Sequence, residues 1–306
     1  MAAPIARSNT PKQLVPKILN AIVGDTYGEI TGETDGLFEE MTSDKAKEQI
    51  VAMPGFGTAP TKSEGGVTFY DTTRETWTAT AEHTVVALGF QITEEQVEDN
   101  QYMAISKRLA RAVARAMANT YEQRRANVLN FAFNSAYTQG PEGDGQPLVS
   151  TSHPTLAGGN QSNLIAADFS ETAVEQAIIS ITKATDERGI YIGLRPKTLW
   201  IPPELTFGAH RLLNSTGRVG TADNDTNAIK DRNIFDGMRV VTRLTDSDGW
   251  FIQTTATDGL MFYTRSPLMT KDDGDFDTGN FKYKARQRYS AGPWGDWRAT
   301  YGSAGV

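Results

Sequence analysis

The feature that most constrains the fold is a run of fifty residues between Gly89 and Gly140 that contains no glycine and no proline. These two residue types interrupt helices most strongly, so the run predicts one long helix. Thr93 is its expected N-cap, with Gln96 at the third helical position of a capping box. A helix from about 93 to 133 would be roughly 60 Å long at ~1.5 Å per residue, and such a rod needs other elements packed along it.

A membrane span and a coiled coil are both excluded as explanations of this helix. Its apolar positions from Ile105 to Tyr121 recur every four residues, whereas a heptad seam alternates three and four. A helix in hydrocarbon cannot hold the cations that lie along this one, which are Lys107, Arg108, Arg111, Arg115, Arg124 and Arg125. The helix is therefore typical of a scaffold that other parts of a globular chain cover.

Composition limits the function further. The 306 residues carry a net charge of −7, which disfavours a protein that wraps nucleic acid through clustered cations. There is no cysteine, so disulfides, zinc–thiolate sites and thiol nucleophiles are excluded. Residues 1–9 lack the apolar segment of a secretory signal, and no stretch reaches the ~18 apolar residues of a membrane helix. We expect a globular protein with no membrane partner.

The first forty residues predict an irregular N-terminal arm. Prolines and regularly spaced glycines interrupt them, at Pro4, Pro11, Pro16, Gly24, Gly28, Gly32 and Gly36. Such a segment either packs on another element or is a frayed terminus. Residues 42–53 then predict a short helix capped by Thr42 or Ser43.

A segment rich in threonine and aromatic residues follows. Residues 67–80 have the composition of a strand, but their centre from Asp71 to Glu75 is polar on both faces. A strand with two polar faces has little core of its own, so we expect a projecting hairpin whose partner lies on another subunit. The candidate inter-subunit contacts in this region are Lys62, Tyr70, Arg74 and Trp77.

Residues 166–259 predict a separate mixed lobe, because helices and strands alternate along them. The expected elements in and just after it are a helix capped by Ser170, a strand at 197–201, a helix at 205–214, and strands at 238–244, 250–255 and 260–263. With the long helix and the outer strands, this organisation predicts an α+β fold.

The clearest alternation in the chain lies near its C-terminal end. Four cations share one face of a predicted strand, namely Lys282, Lys284, Arg286 and Arg288. The opposite face carries Tyr283, Ala285, Gln287 and Tyr289, which is the pattern of a half-buried strand. The cations either contact phosphates or an acidic neighbour, or they are solvated or paired within the sheet. We take all four as candidate inter-subunit contacts.

No group of residues predicts catalysis. His83, His153 and His210 are isolated, without a second ligand at metal-binding spacing. The Asp-rich loops opening at Asp223 and Asp273 fail the calcium pattern at its sixth and twelfth positions. Walker, dinucleotide-binding and nucleophile-elbow motifs are absent. We therefore expect no enzyme, no catalytic residue, no cofactor and no metal site.

The order of arm, hairpin, long capped helix, separate lobe and return strand resembles the major capsid protein of tailed bacteriophages with the Hong Kong 97-type fold. Three local segments carry the resemblance. They are Leu88-Gly89-Phe90-Gln91-Ile92-Thr93-Glu94-Glu95 before the long helix, Gly145-Gln146-Pro147-Leu148 after it, and Gly279-Asn280 through Tyr289 to Trp294, Trp297 and Arg298 in the closing strand.

The resemblance implies a domain organisation and an assembled function. The implied parts are an N-terminal arm (1–40), a peripheral domain (41–165 with 260–306), an axial domain (166–259), an extended loop (about 54–82) and a spine helix (about 93–133). Copies would assemble in the bacterial host cytoplasm, as pentamers and hexamers, into the icosahedral virion head. Besides the chain itself, the implied partners are a separate scaffolding protein, a portal, decoration proteins and double-stranded DNA held by non-specific contact with the inner surface.

Other functions stay open from sequence alone. Some members of the resembled family form Lys–Asn cross-links, and Lys62 lies in the candidate loop, but no flanking pattern marks it as a donor. An encapsulin-type compartment has the same fold and encloses protein cargo. A stand-alone hydrolase or metal enzyme would have to use His83, His153 or His210.

Overall fold

The structure is a computed structural model that describes residues 11–93, 95–96, 102–140, 142–217, 226–274 and 279–305. The chain divides into two compact units. Unit 1 comprises residues 1–32, 83–124 and 264–289, and unit 2 comprises residues 33–82, 125–263 and 290–306. Each unit has its own buried hydrophobic clusters.

Helices and strands both occur in the described residues. The helices are α1 (Pro11–Ile30), α2 (Tyr102–Asn130), α3 (Glu171–Thr182), α4 (Thr206–Asn214) and α5 (Ala228–Asp231). The strands are β1 (Glu39–Thr42), β2 (Lys47–Val51), β3 (Thr78–Glu82), β4 (Thr84–Ile92), β5 (His153–Pro154), β6 (Asn160–Gln161), β7 (Pro196–Ile201), β8 (Gly237–Val240), β9 (Trp250–Thr254), β10 (Leu260–Gly274), β11 (Phe281–Trp294) and β12 (Thr300–Ser303). Single 3-10 turns lie at Pro203–Leu205 and Trp297–Ala299.

The strands form two four-stranded sheets and two small ribbons. One sheet has the order β1-β10-β11-β4, and the other has the order β12-β9-β7-β8. In the second sheet β7 pairs in parallel with β8 and antiparallel with β9. Strands β2 and β3 pair with each other, as do β5 and β6. This mixture confirms the α+β class predicted from the sequence.

In unit 1, small side chains on α2 let it pack closely against α1 and β11. Ala110 and Ala114, four residues apart, are buried against Leu19 and Val23 of α1 and Tyr283 of β11. A second cluster joins Val113 and Met117 of α2 to Ala285 of β11. Residues four apart share a helix face, so one side of α2 supplies both clusters. Full burial of a side chain such as Leu19 is worth about 1.5–3 kcal/mol.

The long helix is observed, with different bounds from those predicted. Helix α2 ends at Asn130, about three residues before the expected end. Thr93 is not helical, whereas residues 95 and 96 are. Residues 94 and 97–101 lie outside the described residues, and the predicted capping box falls partly on them. The Gly/Pro-free run therefore identified the element, while its beginning stays a prediction.

The prediction of an irregular segment is wrong for residues 11–30, which form α1. Gly24 and Gly28 lie inside the helix, where each lowers helix stability by about 1 kcal/mol relative to alanine. Burial of Leu19 and Val23 offsets that loss, so tertiary packing overrides the local preference.

The lobe predicted at 166–259 contains most of the main core of unit 2. Ser170 caps α3 as predicted, since its Oγ accepts a hydrogen bond from the Ala173 N–H at 3.2 Å. The buried cluster draws on α3, α4, α5 and the sheet strands β7 and β9, with Ile165 and with Tyr301 of β12 added from outside the lobe. The predicted strands at 197–201 and 250–255 are present, and the strand at 238–244 is shorter than expected.

Two predictions for residues 39–82 are wrong. The helix expected at 42–53 is absent, and β1 and β2 lie there, because β2 pairs in antiparallel register with β3. The expected extended β-hairpin does not form in the loop, because residues 52–77 contain no strand and β3 begins only at Thr78. A strand needs a continuous row of backbone hydrogen bonds, and residues 52–77 form only isolated ones with each other, which join Ala52 to Trp77 and Thr76 and Gly66 to Ser63.

Candidate inter-subunit surfaces

Residues 52–77, called here the extended segment, connect β2 to β3 without regular structure. Within residues 58–70, all of which the structure describes, the hydrogen bond formed is that from Gly66 N to Ser63 O at 3.0 Å. The segment exposes large apolar side chains: Val67 is 91% exposed, Tyr70 84% and Phe69 66%. Exposed apolar groups without a local core are typical of a surface that a partner covers.

The base of the extended segment is held by Asp71. Its carboxylate accepts hydrogen bonds from Gly57 N at 2.7 Å and Thr72 N at 2.8 Å. Arg188 Nη1 lies 2.6 Å from Asp71 Oδ2, and Arg188 Nη2 donates to Thr72 O at 2.6 Å. These contacts lower the pKa of Asp71, with the Gly57 and Thr72 N–H groups as the leading causes and Arg188 as a further one.

A tight turn after α3 positions Arg188. Asp186 Oδ1 accepts hydrogen bonds from Arg188 N and Ile190 N, both at 2.8 Å. Gly189 adopts a φ of +84°, which an L-residue adopts only with strain. The turn thus presents the guanidinium to Asp71, a residue 117 positions earlier in the chain.

The four candidate residues of this region do not share one environment. Lys62, Tyr70 and Arg74 are exposed, as a partner-binding role requires. Trp77 is half-buried, and it lines a cavity of about 310 Å³ in unit 2 together with Asp144, Glu187 and Arg298. Its backbone O accepts from Ala52 N at 2.8 Å, so Trp77 belongs to the base of the segment and not to its exposed part.

The second candidate surface is one face of β11 and β4, called here the cationic face. Lys282, Lys284, Arg286 and Arg288 lie opposite Gln91, Gly89, Ala87 and Val85 of β4. The alternation predicted for β11 is confirmed, since Tyr283, Ala285, Gln287 and Tyr289 are buried. Strand β4 supplies no carboxylate. Strand β10, the other neighbour of β11, carries Asp272 and Asp273. Among the described residues Lys284, Arg286 and Arg288 nevertheless form no ion pair.

A groove of about 600 Å³ opens beside the cationic face. Lys271, Asp272 and Asp273 of β10 line it together with Lys282 and Lys284 of β11. Val85 is 48% exposed, so the face offers some apolar surface beside its cations. The lysines and the apolar surface suit a protein partner that carries carboxylates, and Asp272 and Asp273 add two carboxylates of this chain to the same groove.

The histidines do not form a catalytic group. His83 is buried in unit 1, His153 is buried in unit 2, and His210 is exposed on α4. His153 Nδ1 lies 2.6 Å from Asp144 Oδ2, and the imidazole stacks on Trp297 with ring centroids 4.2 Å apart. The nearby hydroxyls of Ser150 and Ser152 donate instead to Gln146 Oε1. The pair resembles part of a triad, but its setting is a packed core.

Two charged groups that matter for the architecture have no local signal in the sequence. The Asp71–Arg188 pair joins residues far apart in the chain, and no local pattern reveals it. Arg125 was counted only as a charge against a membrane span. Its side chain is 1% exposed, bonded to Glu40 at 2.9 Å and placed against the rings of Phe38 and Phe262.

Within the parts of the chain that the structure describes, no three His, Asp or Glu residues are grouped to hold a metal ion. No described helix is long and apolar enough to cross a bilayer.

Sequence and structure comparisons identify related proteins. Residues 78–303 match the sequence model of a family described as phage capsid protein. No curated protein matches the sequence. Among solved structures, the virus-like particle from Pyrococcus furiosus has 10% identity and a TM-score of 0.55, covering 94% of this chain and 98% of that one.

Two further structures have a similar fold. The capsid of cyanophage P-SCSP1u has 12% identity and a TM-score of 0.51, covering 88% of this chain and 86% of that one. A phage-related protein from Bordetella bronchiseptica RB50 has 12% identity and a TM-score of 0.50, covering 94% and 95%. At such identities the likeness shows the fold alone.

Proposed function

Because the chain belongs to the phage capsid protein family, we propose that it is a major capsid protein whose copies assemble as pentamers and hexamers into an icosahedral head around double-stranded DNA. The single observation that carries the proposal is the family match, which covers residues 78–303. The Hong Kong 97-type fold expected from the sequence is confirmed as a fold.

The extended segment supports self-assembly. An isolated subunit leaves its apolar side chains in water, although burial of a residue such as Val67 or Phe69 is worth about 1.5–3 kcal/mol. The segment therefore acts as the loop that lies over a neighbouring copy. In this proposal Lys62, Tyr70 and Arg74 contact the neighbour, while Trp77 holds the base.

The domain organisation of the subunit follows the same proposal. Residues 41–165 with 260–306 form the peripheral domain, preceded by an arm at 1–40. Residues 166–259 form the axial domain, gathered at the centre of each pentamer and hexamer. The buried cluster of α3, α4, β7 and β9 supports this assignment, because it gives those residues a largely self-contained core.

The remaining partners follow from the role of a head protein. The subunit assembles in the host cytoplasm with a separate scaffolding protein and a portal, receives decoration proteins, and stays in the virion. Packaged DNA contacts its inner surface non-specifically. The protein is structural and catalyses no reaction in this role.

Sedimentation velocity tests the proposal. The chain is expressed alone and together with a scaffolding protein encoded beside it, and the particles are sized. We expect closed shells of megadalton mass in at least one preparation. A homogeneous species near the subunit mass of 33.4 kDa in both preparations would contradict the proposal.

A shortened variant tests the role of the extended segment. Residues 58–70 are replaced by two glycines, which is feasible because Gly57 N and the Asp71 carboxylate lie 2.7 Å apart. We expect an unchanged unfolding free energy and no shells. If the variant fails to fold, or if it forms normal shells, the segment does not have the role assigned to it.

A second candidate function is an encapsulin-type compartment. The compartment shares its fold with a phage head, so the fold likeness to the virus-like particle from Pyrococcus furiosus, with a TM-score of 0.55, fits both functions. Shells purified from a natural source distinguish the two functions. Double-stranded DNA inside supports the head, and a co-purifying enzyme inside supports the compartment.

A further inference from the structure

We propose that the cationic face of one copy binds an acidic edge of a second copy, formed by Asp35, Glu39, Glu40 and Asp44. This inference rests on the proposed self-assembly, and it names the charged surfaces that one contact between copies uses. The occupant of the cationic face is therefore another molecule of the same protein.

The first observation is that charge is divided between the two units. Unit 1 contains 14 Lys and Arg against 11 Asp and Glu, a net charge of +3. Unit 2 contains 16 Lys and Arg against 26 Asp and Glu, a net charge of −10. Copies of such a chain attract one another when unit 1 of one copy meets unit 2 of the next.

The second observation is a concentrated acidic edge in unit 2. Residues 33–44 contain five carboxylates and no cation. Four of these residues are exposed, namely Asp35, Glu39, Glu40 and Asp44. Arg125 pairs with Glu40 at 2.9 Å and lies 4.0 Å from Asp35, so the charge swap is made at Glu39 and Asp44. Strand β1 lies at an edge of its sheet, and all four of its residues are exposed. Its backbone and carboxylates are thus accessible to another chain.

The third observation is that the cationic face suits a protein better than a nucleic acid. The β4 residues opposite its cations are Val85, Ala87, Gly89 and Gln91, and Val85 is 48% exposed. A phosphate backbone leaves such apolar groups unused, whereas a protein edge can cover them.

The geometry of the two surfaces gives a directional contact. The cationic face and the acidic edge are different patches of one chain, so each copy offers one of each to its neighbours. A contact between two different patches is heterologous. Such contacts build a closed ring when the rotation from one copy to the next, repeated around the ring, returns to the first copy. Most of the attraction is between exposed charges, so salt weakens it, since the screening length falls from ~10 Å at 0.1 M to ~3 Å at 1 M.

A charge-swap experiment tests the inference by sedimentation of assembled protein. The face variant is Lys284→Glu with Arg286→Glu, and the edge variant is Glu39→Lys with Asp44→Lys. We expect each variant to lower the assembled fraction about tenfold or more, as like charges now oppose each other. The variant that carries all four changes restores attraction, so assembly should return towards the wild-type level.

The matched control is Arg111→Glu with Arg115→Glu, which changes the net charge of unit 1 by the same amount. Both arginines are exposed on α2 and form no ion pair among the described residues. We expect this control to assemble like the wild type. Equal loss in the control, or no rescue in the four-fold variant although it is folded, overturns the inference. A face variant that assembles normally but binds duplex DNA less tightly overturns it in favour of a nucleic-acid surface.

Zero-length cross-linking gives a second measurement that does not require complete shells. A mixture of isotopically light and heavy copies is treated with a carbodiimide, which joins lysine amines to carboxylates in contact. We expect light–heavy links from Lys282 or Lys284 to residues 35–44, and their absence from concentrated protein contradicts the inference. If the wild type never assembles, the proposed function fails. If it assembles without these links, only this inference fails.

Discussion

Arg188 Nη1 and Asp71 Oδ2 lie 2.6 Å apart, and they join a turn after α3 to the base of the extended segment. Thr73 Oγ1 and Thr76 Oγ1 add hydrogen bonds to Pro54 O at 2.6 Å and Ala52 O at 2.8 Å. The two ends of the segment are therefore fixed, while its middle makes no comparable contacts. A loop with a fixed base and an exposed apolar middle is suited to reach a neighbouring copy.

Arg188→Gln should loosen this base without unfolding the protein. Exposed ion pairs contribute about 0–1 kcal/mol, so the unfolding free energy should change by less than ~1 kcal/mol. Proteolysis between residues 58 and 70 should become several-fold faster, because the segment opens locally. Arg74→Gln is the control, since Arg74 is exposed on the same segment and should leave the cleavage rate unchanged. Equal cleavage of the wild type and Arg188→Gln would show that the pair does not hold the base.

The base of the segment should also respond to acid. The lowered pKa of Asp71 means that its contacts favour the folded state fully above the ordinary carboxyl value of 3.8. That contribution is lost as the pH falls through the lower pKa of the folded state. Hydrogen exchange at the Gly57 amide should therefore speed up, after correction for the intrinsic rate, only below about pH 4. In Asp71→Asn this acid-dependent step should vanish, and its persistence would assign it to another group.

Gly292→Ala should destabilise unit 2 through both its backbone and its packing. Gly292 has a φ of +103°, and an added Cβ would lie 2.7 Å from Val128 Cγ2. Gly140 has a nearly equal φ of +101° with open space around it, so Gly140→Ala isolates the backbone cost. We expect a loss of about 1–3 kcal/mol for Gly140→Ala and about 1–3 kcal/mol more for Gly292→Ala, measured by urea unfolding.

The double variant Gly292→Ala with Val128→Ala checks the packing part. Removing the valine methyl groups relieves the contact, so the two changes should cost less together than their separate losses added. Additive losses would mean that Val128 moves aside and that only the backbone conformation matters.

Asp144→Ala should destabilise the core around His153. Asp144 is 3% exposed and His153 0% exposed in their side chains, so removing the carboxylate leaves a buried imidazole nitrogen without its partner. The cost of such a loss is about 1–3 kcal/mol, which urea unfolding would detect. His210→Ala, at an exposed position on α4, should stay within ~0.5 kcal/mol of the wild type. An equally small effect of Asp144→Ala would show that water replaces the contact.

Elements coded by local pattern were predictable. The alternation from Lys282 to Tyr289 specifies a half-buried strand because period two is a property of adjacent residues. Ser170 caps α3 through contacts within three residues, and the Gly/Pro-free run identified α2. The cations of the cationic face were predictable for the same reason, since they occupy alternate positions of that strand.

Elements that depend on distant partners were not predictable. Helix α1 forms despite the low helix propensity of Gly24 and Gly28, because Leu19 and Val23 pack on residues from other parts of the chain. Strand β2 exists because β3 pairs with it across the extended segment. The burial of Arg125 depends on Glu40 and Phe262, which are distant in sequence.

Electron cryomicroscopy of particles assembled from this chain tests the central claim most directly. The account predicts uniform closed shells with icosahedral symmetry, built of pentamers and hexamers, in which residues 58–70 of each copy lie on a neighbouring copy. Particles in which residues 58–70 touch only their own subunit, or protein that stays monomeric even with a scaffolding protein present, would contradict it.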